Sequence, residues 1–395
     1  MRSDCAGAWN RVHEIALAWL IVTGSAQGAT PAGGLQVGGT GELRLAGAPF
    51  RGIGVNYYDA FARTLSTPPA TTYEAGFQAL AERRIPFARF SAGGYWPADW
   101  GLYQTNRAEH FARLDQVIRS AERHGIGLIP SLFWMSSTVP DLVQEPVSAW
   151  GVTNSRTHAF LHQYTREVVT RYRGSPAVWG WEFGNEYNLP ADLPNAADHR
   201  PPVVPSLGTP ASRSPADDLT HAMVRTALRA FAEEVRRHDP TRMIVSGNAF
   251  PRVSAWHQAH EGSWKRDTPE QFAEALAADN PSPIDTLSVR GYDAVADLGR
   301  IPQAMEVAHR EKKPLFVGEF GVPDNGAQAA SREGMAVMLR CLETNQVPIA
   351  ALWVYDFDGQ SRDWNVTPTN TRGWQLEEIQ RANERIRKAG LSPRR

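Results

Sequence analysis

Two glutamates stand out by their company. Glu186 closes the run Val178-Trp179-Gly180-Trp181-Glu182-Phe183-Gly184-Asn185-Glu186, and Glu319 lies in Pro314-Leu315-Phe316-Val317-Gly318-Glu319-Phe320. Each ends an apolar, β-prone segment and is followed by residues that break a strand. Cleavage of a glycosidic bond uses two such carboxyl groups. One protonates the departing sugar oxygen, and the other attacks the anomeric carbon or balances the positive charge that grows there. Taken singly, a glutamate at a strand end is more often a solvated or salt-bridged residue. Two of them, far apart in sequence, become chemistry only if a scaffold gathers strand ends at one place.

The rest of the chain supplies such a scaffold. Strand-like segments recur at 51–56, 86–90, 127–133, 177–183, 242–247, 284–289, 314–318 and 349–355. Between them the apolar spacing turns helical: Phe111, Leu114, Val117, Ile118 and Ala121 form one stripe, and Phe160, Leu161, Tyr164, Val168 and Tyr172 another. Further helical patterns span 72–84, 215–238, 268–279, 299–311, 327–343 and 374–388. Eight βα units in strict alternation, with mostly uninterrupted apolar strands, predict an α/β fold, a (β/α)8 TIM barrel buried on both faces. An open doubly wound sheet is the alternative, but no strand-to-helix turn carries a Gly-x-Gly-x-x-Gly phosphate loop. Long segments at 91–106, 187–215 and 248–267 all follow strands, so a barrel gathers them at its C-terminal face, where sites of this fold are built.

Composition narrows the classes further. A net charge of −1 over 395 residues gives no basic excess for nucleic acid and no acidic tail. The 13 tryptophans and 10 tyrosines suit a large core or flat platforms for sugar rings. Cys5 and Cys341 provide neither a disulfide framework nor a metal site. His257, His260 and Glu261 lack a third ligand at metal spacing, so no metal or cofactor is expected. At the N-terminus, Arg2 and Arg11 precede the apolar run 15–22, and small residues follow near Ala26 to Ala29. That run is too short to span a bilayer and reads as a signal peptide over 1–29, implying a secreted or periplasmic protein. Residues 30–49 read as a linker with a small hairpin, and 50–391 as the barrel.

At Asn185-Glu186 and Gly318-Glu319-Phe320-Gly321, placed on the fourth and seventh strands, the chain resembles retaining glycoside hydrolases of the large (β/α)8 clan, most closely family 5, the cellulase and mannanase family. The resemblance implies Glu186 as general acid/base and Glu319 as nucleophile. It also implies Arg89 beside the nucleophile, Tyr292 donating to it, and Trp353 as the floor under the reacting sugar. Arg89 has an independent argument, since an arginine inside an apolar strand needs a carboxylate partner. Asn185 is placed to bond the sugar 2-hydroxyl. Trp181 and Tyr187 are expected to wall Glu186 and raise its pKa by desolvation. Trp96, in the loop after the second strand, and Trp134, ending the third, are further expected substrate contacts.

Two departures stand out. Arg290 occupies the place of a histidine in the family's His-x-Tyr, and Trp134 follows a strand that often ends in histidine. Either the substrate differs from cellulose or activity is reduced; Arg290 is also placed to meet an anionic group on a substrate. The expected partner is a β-linked polysaccharide or oligosaccharide, a β-glucan or β-mannan. Alternatives are a transglycosylase, or a carbohydrate-binding barrel with little turnover.

Overall fold

The apolar runs punctuated by Gly, Pro and Asn do form strands. The structure, a computed structural model, describes residues 33–292, 297–324, 326 and 328–390. The expected signal peptide, Cys5 and the final residue of the expected barrel domain lie outside the described residues. The barrel strands are β4 (Gly52–Asn56), β5 (Phe87–Ser91), β6 (Gly127–Phe133), β7 (Gly180–Gly184), β8 (Met243–Val245), β9 (Leu287–Gly291), β10 (Leu315–Phe320) and β11 (Ile349–Leu352), numbered after the N-terminal strands β1 (Leu35–Val37), β2 (Leu43–Leu45) and β3 (Ala48–Pro49). All barrel ladders are parallel, in the order β8-β7-β6-β5-β4-β11-β10-β9. Helices Tyr73–Glu82, Arg107–His124, Arg156–Tyr172, His221–His238, Pro269–Ala278, Ile301–Glu311, Gln328–Thr344 and Trp374–Lys388 return the chain between strands. The expected (β/α)8 barrel is therefore present.

At the seam between β8 and β9, side chains bridge the strands. The Ile244 N–H donates to Asp285 Oδ1 at 2.7 Å, and Thr286 Oγ1 donates to the Ile244 carbonyl at 2.9 Å. Asp285 is held in turn by Arg236.

Alternation along the strands sorts the core into two layers. Phe87, Ile129, Trp179, Met243, Val245, Phe316, Ile349 and Ala351 share one apolar cluster inside the barrel. The alternate positions, such as Ala88, Leu128, Ile244, Val289 and Val317, pack outward with helix residues such as Phe77, Leu114 and Leu161. The N-terminal part differs from the sequence expectation. The expected hairpin is there, β2 paired with β3, but β1 extends it into a three-stranded antiparallel sheet, whose Leu35, Leu43 and Leu45 join Phe50 in the inner cluster. Its first strand was hidden among glycines that read as linker. The helix expected over 215–238 also starts late. Thr220 Oγ1 caps it at Met223 N (3.2 Å), while Ser214 and Asp217 close a separate turn over Pro215–Asp217.

Candidate active site

Towards the C-terminal ends of the strands, the inward positions change from apolar to charged. On β5, Phe87 gives way to Arg89; on β7, Gly180 to Glu182; on β10, Phe316 to Glu319. Simple alternation would turn Glu319 outward. Instead Val317 pairs with Ala350 and Phe320 with Leu352, so two residues on β10 oppose the single Ala351. This bulge at Gly318–Glu319 re-aims the carboxylate into the barrel.

Glu186 is positioned by a different device. Its φ is +55°, a left-handed conformation that non-glycine residues rarely adopt, and it is held there by its neighbours. The Asn185 N–H bonds the Trp134 carbonyl at 3.2 Å, and the Glu186 N–H bonds the Gly247 carbonyl at 2.9 Å. Gly247 has φ +78°, and a Cβ on it would lie 1.8 Å from the Gly184 carbonyl oxygen, so only glycine permits this crossing.

Arg89 organises the centre. Its Nε reaches both oxygens of Glu182 (2.7 and 2.9 Å). Nη1 reaches Asn56 Oδ1 (2.9 Å) and Glu319 Oε1 (2.7 Å), and Nη2 reaches Asn185 Oδ1 (2.9 Å). The Trp134 ring lies against its face, 4.3 Å from Cζ to the ring centroid, a cation–π contact. Burial disfavours the charge of Arg89, but Glu182 and Glu319 outweigh that and hold its pKa above the ordinary arginine value.

Glu319 thus accepts from Arg89, from the Tyr292 hydroxyl by a short hydrogen bond, and stands 3.2 Å from Arg290 Nε. Burial, then the charge of Glu319, push the Tyr292 phenol well above 10, so it stays protonated and donates. Burial, then Glu319, also push the Glu186 carboxyl from 4.5 up to about 7, against the opposing pull of Arg290, Arg89 and Arg252. Of two glutamates in one cleft, one is surrounded by cations and a hydroxyl donor, and the other holds its proton near neutrality. That is the split that general acid and nucleophile require.

The family described as cellulase (glycosyl hydrolase family 5) matches residues 47–359 of this sequence. The chain belongs to glycosyl hydrolase family 5. Mannan endo-1,4-beta-mannosidase F of Aspergillus clavatus is 36% identical over 235 residues, covering 55% of this family 5 chain and 46% of that protein. The chain therefore spans about half the length of this curated relative. Among solved structures, the endo-1,4-beta-mannanase from Rhizomucor miehei superposes with a TM-score of 0.65 at 16% identity, over 90% of this chain and 99% of that one. An exo-beta-1,4-mannosidase from an Opitutaceae bacterium reaches 0.60 at 18% identity, over 91% and 63% respectively. At these identities the likeness is one of fold.

In this family 5 chain, Trp353 and Trp134 lie near-parallel, with centroids 6.2 Å apart and planes at 25°. Tyr58 packs against both, and Trp353 Nε1 is anchored to Gln360 Oε1 at 2.7 Å. Trp96 stands farther out, against the insertion that follows Glu186, where a Cβ on Gly208 would lie 2.7 Å from its ring. Two sequence expectations are corrected. Trp181 and Tyr187 do not wall Glu186. Alternation sends Trp181 outward to bond Asp239 (2.9 Å), and the Tyr187 hydroxyl bonds the Phe133 carbonyl (2.8 Å) behind the strands. Nor is Arg290 available to an anionic substrate: it is 3% exposed and spent on inward partners. His257 is likewise occupied, with its Nδ1 2.7 Å from Asp267 Oδ1. Sequence reasoning missed Glu182, Asn56 and Tyr58. Glu182 had a signal: an acid in an apolar strand, an even number of residues from Glu186.

Proposed function

We propose that this family 5 chain is a retaining β-glycoside hydrolase, with β-1,4-mannan the first substrate to test. The observation that carries the reading is the pair of environments around Glu186 and Glu319. Protonated Glu186 donates to the glycosidic oxygen as that bond breaks, while ionised Glu319 attacks the anomeric carbon and forms a glycosyl-enzyme. Esterification removes the charge of Glu319, which is the second cause of the raised Glu186 pKa. Glu186 then becomes a stronger acid and, as carboxylate, takes the proton of the incoming water. Arg89, Arg290 and Tyr292 keep Glu319 in place through the cycle. Trp353, Trp134 and Tyr58 offer flat faces to the sugar, and Asn185 a donor to its 2-hydroxyl. Mannan comes first because the sequence relatives are named mannan endo-1,4-beta-mannosidases; glucan is the second choice.

Reducing-sugar release from galactomannan, glucomannan, carboxymethylcellulose, mixed-linkage glucan, laminarin and xylan tests the reading, with Glu319→Ala as control. Release from one polymer, lost in the variant, supports it. Equal release by both proteins removes Glu319 from the mechanism. Proton NMR of the first-formed anomer decides stereochemistry, and a product of inverted configuration overturns retention. We also propose export by removal of 1–29, followed by the 30–49 segment and the barrel. Amino-terminal sequencing of protein from the culture medium checks this, and cytosolic protein starting at Met1 counts against it.

A further inference from the structure

The guanidinium of Arg290 is held in the site by hydrogen bonds from both terminal nitrogens, while its Nε makes only an ion-pair contact. Nη2 donates to the Gly247 carbonyl at 2.7 Å and to Asn185 Oδ1 at 3.2 Å. Nη1 donates to Ser288 Oγ at 3.1 Å and the Val289 carbonyl at 3.2 Å, and Nε faces Glu319 Oε1 at 3.2 Å. Glycine makes the room. A Cβ on Gly318 would lie 2.1 Å from Arg290 Nη1. The carbonyl that receives Nη2 belongs to Gly247, the same left-handed glycine whose carbonyl takes the Glu186 N–H. Arg290 is thus tied to both candidate carboxylates through the backbone that places them.

The consequence falls on Asn185. Its side-chain oxygen accepts from two guanidinium groups, Arg89 Nη2 at 2.9 Å and Arg290 Nη2 at 3.2 Å. A flipped amide would set its NH2 against two cations and lose both bonds. The amide therefore has one orientation, with Nδ2 on the side away from both arginines and able only to donate. Arg89 already disfavours the flip, and Arg290 adds a second guanidinium that fixes where the oxygen lies.

We propose that Arg290 is a positioning residue which, with Arg89, locks the Asn185 amide so that Nδ2 is presented as an obligate donor to the oxygen on C2 of the reacting sugar. This rests on the glycosidase reading above. It differs from the role that exposure would have given Arg290: the arginine contacts no substrate and acts through Asn185. The charged and titratable groups facing Glu186 are Glu319 from β10, Arg290 from β9, Arg89 from β5, Tyr292 after β9 and Arg252 from the loop after β8. Removing Arg290 takes away one of the cations that pull the Glu186 carboxyl down, so the basic limb of the pH profile must move up with it.

The test compares full-length wild type, Arg290→Gln and Arg290→Lys on an aryl β-mannoside and its 2-deoxy counterpart. In Arg290→Gln, kcat/KM falls about tenfold or more further on the 2-hydroxy substrate than on the 2-deoxy one, the size of one lost hydrogen bond. The basic limb shifts to higher pH. Arg290→Lys keeps the limb but not the selectivity, because one ammonium cannot span Asn185 and Gly247. Equal losses on both substrates with an unmoved limb overturn the proposal. Should wild type hydrolyse neither these glycosides nor any of the polymers named above, the glycosidase reading has failed; in that case, or where it cuts a polymer but neither glycoside, the Asn185 side-chain amide pair in a 15N NMR spectrum decides alone. Shifted and more mobile signals in Arg290→Gln support the lock; signals unchanged from wild type, in a variant with native circular dichroism, end it.

Discussion

Glu319 has Arg89, Arg290 and Tyr292 as polar neighbours, whereas Glu186 stands at the edge of that group with the charge of Glu319 facing it. The acid must carry its proton to act, so kcat/KM falls as pH rises through about 7, the value to which burial and Glu319 push it. Glu186→Gln removes that limb; a limb that survives in the variant would assign it to another group. The same shift has a stability side. The folded protein binds the Glu186 proton more tightly than the unfolded chain, at about 7 against 4.5. Its contribution is fully present below the lower value and is lost as pH rises through the higher. Glu186→Gln should therefore raise Tm at pH 8 and leave it unchanged near pH 4, as calorimetry at the two pH values can show. Glu182 is a structural partner. Its removal takes from the fully buried Arg89 one of its two carboxylate partners and leaves only Glu319, so Glu182→Ala is expected to cost about 3–5 kcal/mol in chemical denaturation.

Between elements, the geometry depends on a few backbone irregularities. The β10 bulge turns Glu319 inward, and the Gly247 crossing fixes Glu186. Alanine at 247 combines positive φ with a direct clash on the Gly184 carbonyl. Gly247→Ala should cost about 1–3 kcal/mol and lower kcat more than it raises KM, since the displaced group is the proton donor rather than the sugar platform. An unchanged kcat in a destabilised variant would detach this crossing from the chemistry. The seam is the other sensitive join. Asp285→Ala removes the bond to the Ile244 N–H and the partner of Arg236 together, and a loss of about 2–3 kcal/mol is expected from one charge-assisted bond of this kind. Hydrogen exchange should rise first in β8 and β9, and uniform protection across the barrel would contradict that.

For the molecule as a whole, the inner apolar cluster and the polar site occupy opposite ends of one barrel, which separates stability from chemistry. Trp179 packs on Phe50 at 5.3 Å and Phe87 at 6.1 Å. Trp179→Ala should cost about 3–5 kcal/mol yet leave kcat of the folded fraction within a few-fold, and a kcat loss matching Glu319→Ala would refute the separation. The same division explains what could be read in advance. Eight βα units were legible because strand alternation and helix spacing are local, periodic signals, while Arg89 beside Glu319 and the place of Glu186 came from the motifs that carry the family resemblance. The first strand of the N-terminal sheet was not, because glycines obscured a pattern only three residues long. Trp181 and Tyr187 were misplaced and Glu182 passed over because strand register and side-chain direction depend on the neighbouring strands. Sequence by itself determined the barrel and, through motifs at two strand ends, its family and the two glutamates to examine, since these are residue types read along one chain. Tertiary structure alone decided that a bulge turns Glu319 inward, that Glu182 balances Arg89, and that Arg290 faces protein instead of solvent. Those are contacts between side chains on different strands, 93 positions apart for Arg89 and Glu182 and 43 for Arg290 and Gly247, or shifts of one residue in register, and no one-dimensional pattern encodes them.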